Sequence, residues 1–239
     1  MKDVTSPRKS HRVVAWLFVV LLSLAIPVIE AAATQSDYWE AFATQAPWYS
    51  KYWNPRGFVE LPIVEEKPIA LSCPSSLHLG DGGSAPIVVD VSVDTWFDEC
   101  SSGVACLFFY SAPAPNQIYF LAIDARGNWN LYHESYSTEY VCSALDLMID
   151  DSHMYPWKSS SYLRIGSFAP NRLSLRFQSV LSRGGNRVLR VVAFVNGQEI
   201  TTVETTLSAA SAVRFGVGGH AAAPEDAYVH FDNLTIREV

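Results

Sequence analysis

From Pro86 to Asp94 apolar and polar positions alternate, with Ile87, Val89, Val91 and Val93 on one face and Val88, Asp90, Ser92 and Asp94 on the other. A period of two belongs to a strand that buries one face and wets the other. Val104 to Tyr110 and Gln117 to Asp124 lose the alternation and gain aromatics, which predicts central strands covered on both sides. Pro113 and Pro115 stand between them, where no ladder can continue. A turn at Ala125-Arg126-Gly127-Asn128 leads into Trp129 to Glu134, and further strands are predicted at Tyr162 to Ser167 and Asn171 to Gln178. Two β-branched segments flank Asn196-Gly197, a pair that tolerates the positive φ of a type I′ hairpin turn. Val213 to Gly218 and Tyr228 to Ile236 close the chain. Between Cys142 and Ser160 the periodicity fades into a long connection. Short strands punctuated by turns, with no long amphipathic helix and no fixed-period repeat, predict an all-β fold: a two-sheet antiparallel β-sandwich.

The N-terminus departs from this pattern. Lys2, Arg8, Lys9 and Arg12 form a basic flank, and Val13 to Ile29 is apolar apart from Ser23 and Pro27. Ala31-Ala32-Ala33 offers a small-residue cleavage site, so residues 1–33 read as a signal peptide and 34–239 as a single exported domain. The other reading is an uncleaved anchor helix, because the apolar run is close to the ~17-residue lower limit for a span. In either case the remainder is extracytoplasmic: secreted, periplasmic or at the cell surface. Loss of residues 1–33 takes away four of 17 basic and two of 24 acidic residues, leaving a net charge of −9. That balance argues against nucleic acid as a partner, since phosphate backbones require a positive field, and leaves membrane contact to the N-terminal segment alone.

Four cysteines, Cys73, Cys100, Cys106 and Cys142, follow the leader. An even count in an oxidising compartment predicts two disulfides, in three possible connectivities. Ser101-Ser102-Gly103 can turn the chain back, which favours Cys100–Cys106 and leaves Cys73–Cys142. A zinc site has no C-x-x-C pair to support it.

Taken in order, LFFYSAPAPNQIYFLAIDARGNWNLY, NRLSLRF, FVNGQEITTVE and VRFGVGG…VHFDNLTIREV resemble the LamG-like branch of the concanavalin A-like lectin/glucanase superfamily. They are also similar to bacterial domains near the 3-keto-disaccharide hydrolase family. The likeness spans Pro86 to Val239 and implies a jelly roll, a fold that hosts lectins, glycanases and adhesins alike. It further implies a structural calcium site with Asp232 on the last strand as a ligand; the alternative is a turn-bonding aspartate. The three-acid strand motif of the laminarinase-type enzymes is absent. Glu225-Asp226 lies in an Ala/Pro loop and Asp98-Glu99 abuts Cys100, so neither alternates along a strand as paired catalytic carboxylates would.

The densest aromatic cluster runs from Tyr38 to Trp53 and includes Trp48, Tyr49 and Trp53. Together with Trp157 in the long connection, these rings form a candidate glycan platform, because a ring stacks on a flat sugar face while its polar edge hydrogen-bonds. The competing reading is an N-terminal flap over one end of the sandwich. Trp129, inside a strand run, reads as core. The histidines form neither H-E-x-x-H nor a close pair, and no serine sits in G-x-S-x-G. The sequence therefore predicts a non-catalytic module for a glycan or cell-surface polymer. A glycan-active hydrolase using loop carboxylates, and a protein-binding adhesion module, are the alternatives.

Overall fold

The computed structural model describes residues 38–41, 49–63, 68–73, 77–78, 88–98, 102–111, 117–134, 156–208, 212–221 and 227–239. The leader therefore lies outside the described residues, as does most of the connection after Cys142.

Two antiparallel sheets form the sandwich. The first is eight-stranded. Its path runs β13 (Gln198–Ser208), β12 (Arg187–Val195), β11 (Asn171–Leu181), β6 (Val88–Phe97), β15 (Ala227–Glu238), β3 (Phe58–Ile63) and β2 (Trp53–Asn54). β1 (Tyr38–Ala41) pairs with the far half of β15. The second sheet is seven-stranded: β10 (Lys158–Ser159), β9 (Asn128–Glu134), β8 (Ile118–Asp124), β7 (Gly103–Ser111), β14 (Ala212–Ala221) and β4 (Ile69–Ser72), with β5 (Leu77–His78) also on β14. The expected fold class is thus what the chain adopts.

Alternation decides which side chains fill the gap between the sheets. Val89, Val91, Val93 and Phe97 of β6 face inward with Leu173, Leu175 and Phe177 of β11, against Leu107, Phe109, Phe215 and Val217 of the second sheet. The Phe177 ring meets Phe109 and Phe215 edge-on, at 4.9 and 5.3 Å between centroids. Edge-to-face pairs of this kind add about 0.5–1.5 kcal/mol each beyond the area they bury. β7 and β8 are buried on their other face too, as their unbroken apolar runs predict: Val104, Cys106, Phe108, Ile118 and Phe120 form a separate cluster with Tyr132. Trp129 is buried in the central core.

The hairpin at Asn196-Gly197 forms as expected, with φ of 50° and 79°. Tyr162 to Ser167 does not become a strand. Residues 160–170 are a loop, with Gly166 at φ 117° and Phe168 at φ 60°. The short apolar run there is fastened by side chains rather than by a ladder. Asn171 accepts from the Arg164 N–H at 2.8 Å and donates to the Arg164 carbonyl at 2.9 Å. Asn196 donates to the Tyr162 carbonyl at 2.7 Å.

Candidate functional site

The outward face of the first sheet carries a mixed polar and aromatic grouping. Period two sends Asp90, Ser92, Asp94, Trp96 and Asp98 outward from β6 and its end, because their neighbours are committed to the core. Register then sets them in rows. Trp96 stands opposite His230, and His230 opposite Glu60. One row toward the loops, Tyr228 lies opposite Pro62, with its carbonyl accepting the Asp98 N–H at 3.0 Å. One row the other way, Arg172 meets Asp94 and Asp94 meets Asp232.

His230 is the node. It is 4% exposed. Its ring stacks on Trp96 at 5.1 Å with 3° between planes, and Phe58 meets it edge-on at 5.2 Å. Its Nε2 is 3.0 Å from Asp98 Oδ1 and its Nδ1 is 3.7 Å from Glu60 Oε2. Neither ring nitrogen is aligned for a hydrogen bond, nor is Asp98 Oδ1. The 3.0 Å approach is therefore a close edge contact rather than a linear N–H···O bond. A buried imidazole without a hydrogen bond is costly, on the order of 1–3 kcal/mol, and marks this point as unusual for a folded interior.

A loop forms the rim beside it. The Phe168 N–H donates to the Phe97 carbonyl at 2.8 Å, next to Asp98. Phe168 is 60% exposed at φ 60°, a left-handed conformation costing a bulky side chain about 1–2 kcal/mol. Tyr162 and Ile165 of the same loop are also exposed, as is Tyr228.

The lower row is tied internally. Asp94 and Asp232 are like charges directly opposite, an arrangement that repels. Arg172 relieves it, donating to Asp94 Oδ1 at 3.0 Å and to Ser92 Oγ at 2.6 Å, while Asn233 Nδ2 donates to Asp94 Oδ2 at 2.9 Å. Asn233, at φ 51°, is the extra residue of a β-bulge between Asp232 and Thr235. Its N–H donates to Asp232 Oδ1 at 2.7 Å. Asp232 thus braces the bulge. No group of three His, Cys, Asp or Glu that could hold a metal ion converges among the described residues.

Of the rings predicted as a platform, the structure describes Tyr49, Trp53 and Trp157. Tyr49 is 3% exposed in the central core, and Trp53 is partly buried against the same core because β2 turns it inward opposite Val59. Trp157 packs against the outward cluster of the second sheet. Trp48 lies outside the described residues. Of the predicted disulfide partners, Cys73 and Cys106 are buried, and Cys100 and Cys142 lie outside the described residues. Spacing along the chain does not single out Tyr228, His230, Trp96, Phe58 or Glu60, and it draws notice to Asp98 only beside Glu99. Their shared signal is an outward i, i+2 pair on each of three strands: Phe58 and Glu60, Trp96 and Asp98, Tyr228 and His230.

No family model matches the chain, and no curated protein matches it. Solved structures do. An alginate lyase, Aly36B with an alginate trisaccharide, is 13% identical over 80% of this chain and 86% of its own, with a TM-score of 0.49. The carbohydrate-binding module CBM66 from Bacillus subtilis is 12% identical over 85% and 97%, at 0.44. The Emp47p carbohydrate recognition domain is 10% identical over 86% and 90%, at 0.47. At these identities the likeness is one of architecture, which the two sheets already establish. The chain itself is a two-sheet antiparallel β-sandwich.

Proposed function

We propose that this chain is an exported, non-catalytic carbohydrate-binding module whose ligand lies along the outward face of the first sheet, between the Phe168 rim and Glu60. The carrying observation is the exposed Tyr228 ring, tilted 41° at 6.5 Å from His230, beside a stacked Trp96–His230 pair that is flanked by two carboxylates. Rings offer a face to the apolar side of a sugar, and Asp98 and Glu60 accept hydrogen bonds from its hydroxyls. Strand spacing gives the face roughly 14 Å along the strands over three rows, room for a short stretch of glycan. Export follows from the basic, apolar and small-residue order of the first 33 residues. The partner is a glycan or cell-surface polymer.

Hydrolysis is disfavoured by the same geometry. Asp98 and Glu60 are the facing carboxylates, but an imidazole packed against Trp96 and Phe58 fills the space between them. Glycoside cleavage needs that space for the sugar bond and, in inverting enzymes, a water. A glycan-array screen of the purified chain, run with calcium and with chelator, tests the reading. Saturable binding that Tyr228→Ala weakens at least about tenfold, a loss of about 1.4 kcal/mol, with an unchanged melting temperature is expected. Silence across neutral, basic and acidic glycans would move the function to protein recognition.

A further inference from the structure

Resting on that reading, we propose that the site selects amino sugars carrying a free ammonium group, and turns away polyuronates. Every element that packs around His230 brings acid to it. Asp94 and Asp98 come from β6 and its end, Glu60 from β3 and Asp232 from β15. Among the described residues the cation in the same rows, Arg172, donates to Asp94 and Ser92. Arg164 in the rim loop turns its guanidinium to the Pro170 carbonyl at 3.4 Å, and Arg56 sits exposed on the β2–β3 turn, beyond the Phe58 end of the face. Protonated or not, His230 carries one charge at most against Asp98, Glu60 and Asp232. The face is negative in either state.

The buried imidazole makes this more than a cluster of acids. His230 is 4% exposed, and its nitrogens sit beside both carboxylates without an aligned bond to either. Asp98 and Glu60 keep solvent-facing surface, with side chains 28% and 35% exposed. Asp98 Oδ1 has no aligned donor. An ammonium group at that edge supplies up to three, with the complementary charge, whereas a uronate supplies only more acceptor oxygens and like charge. Tyr228 places an exposed ring at the same edge, 6.5 Å from His230, where a sugar carrying the amine would stack.

Calorimetric titration of the full chain with three matched oligosaccharides tests this: β-1,4-glucosamine, β-1,4-glucose and β-1,4-mannuronate, at a pH where the amine is charged. The glucosamine oligomer is expected to bind at least tenfold tighter than the glucose oligomer. That margin should shrink at high salt, since exposed charges are screened within about 10 Å at 0.1 M. Glu60→Gln and Asp98→Asn, each checked for an unchanged melting temperature, should each narrow the margin without abolishing glucose binding. Equal affinity for glucosamine and glucose, or tighter binding of mannuronate, overturns the amine selection while leaving the carbohydrate reading intact. Failure of all three to bind overturns both.

Discussion

Asn196 shows how one residue joins fold to function. It occupies a left-handed turn position, and its N–H and side-chain oxygen both engage Arg172, each at 2.8 Å. Its amide nitrogen holds the Tyr162 carbonyl and Asn171 Oδ1, so the hairpin tip clamps the rim loop. Asn196→Gly keeps the turn geometry and deletes these side-chain bonds, each worth about 1 kcal/mol. Hydrogen exchange should then quicken through residues 160–170, and glycan affinity should fall although no ligand contact was removed. Phe168 makes the opposite test. Phe168→Asn exchanges a strained ring for a residue that tolerates positive φ, so stability should hold or rise by up to about 1 kcal/mol. For a domain this size that is roughly 2–4 °C in Tm. Affinity should fall all the same, which separates a ring kept for binding from one kept for packing.

At the scale of elements, the strands were legible because burial writes a period of two or an unbroken apolar run into each. Val89, Val91 and Val93 declared the inward face of β6, and the aromatic run declared β7 buried on both faces. What the chain does not write is cross-strand register. Trp96, His230 and Glu60 are far apart in sequence and meet because β15 slots between β6 and β3, so a face assembled from three outward pairs stays hidden until pairing is known. A dense run of rings likewise says nothing about which way each turns: Tyr49 lies in the central core and Trp53 packs partly buried against it. Close approach is equally a matter of pairing. A Cβ on Gly216 would stand 2.2 Å from the Leu71 carbonyl and 2.3 Å from the Phe108 ring, so β4 and β7 close on β14 only over glycine. Gly216→Ala should destabilise by at least about 1–3 kcal/mol, seen as a lowered urea midpoint. By contrast, Arg176 holds Asp90 through two bonds of 2.7 and 2.8 Å on the outer face, partly exposed. The hydrogen bond to Asp90, and with burial opposing it the Asp90 charge, raise the Arg176 pKa above its ordinary value. A raised pKa means this stabilisation is fully present below the ordinary guanidinium range and lost only as pH climbs past it. Arg176→Lys should cost under about 1 kcal/mol, with no alkaline step in Tm within the working range.

For the whole molecule, the sandwich constrains the covalent frame as well as the face. Cys73 stands opposite Phe215, its N–H donating to that carbonyl at 2.8 Å, and Phe215 is an inward residue of β14. Cys106 stands opposite Gly218, within the outward cluster with Phe108 and Phe120. Adjacent positions on a sheet point to opposite faces, so these two thiols lie on opposite sides of the same sheet. A disulfide needs Cβ atoms about 3.5–4.5 Å apart and directed at each other, which the intervening backbone forbids. Of the three connectivities open to four cysteines, Cys73–Cys106 with Cys100–Cys142 is thereby removed. Cys100–Cys106 with Cys73–Cys142, the pairing favoured by the short Ser-Ser-Gly turn, remains against Cys73–Cys100 with Cys106–Cys142. A non-reducing peptide map of the oxidised chain should contain no Cys73–Cys106 peptide under any refolding condition that restores the native melting temperature. Finding that peptide in folded protein would mean that β4 does not pair with β14 in the register described here. Reduction should lower stability by about 2–4 kcal/mol if both native bridges close.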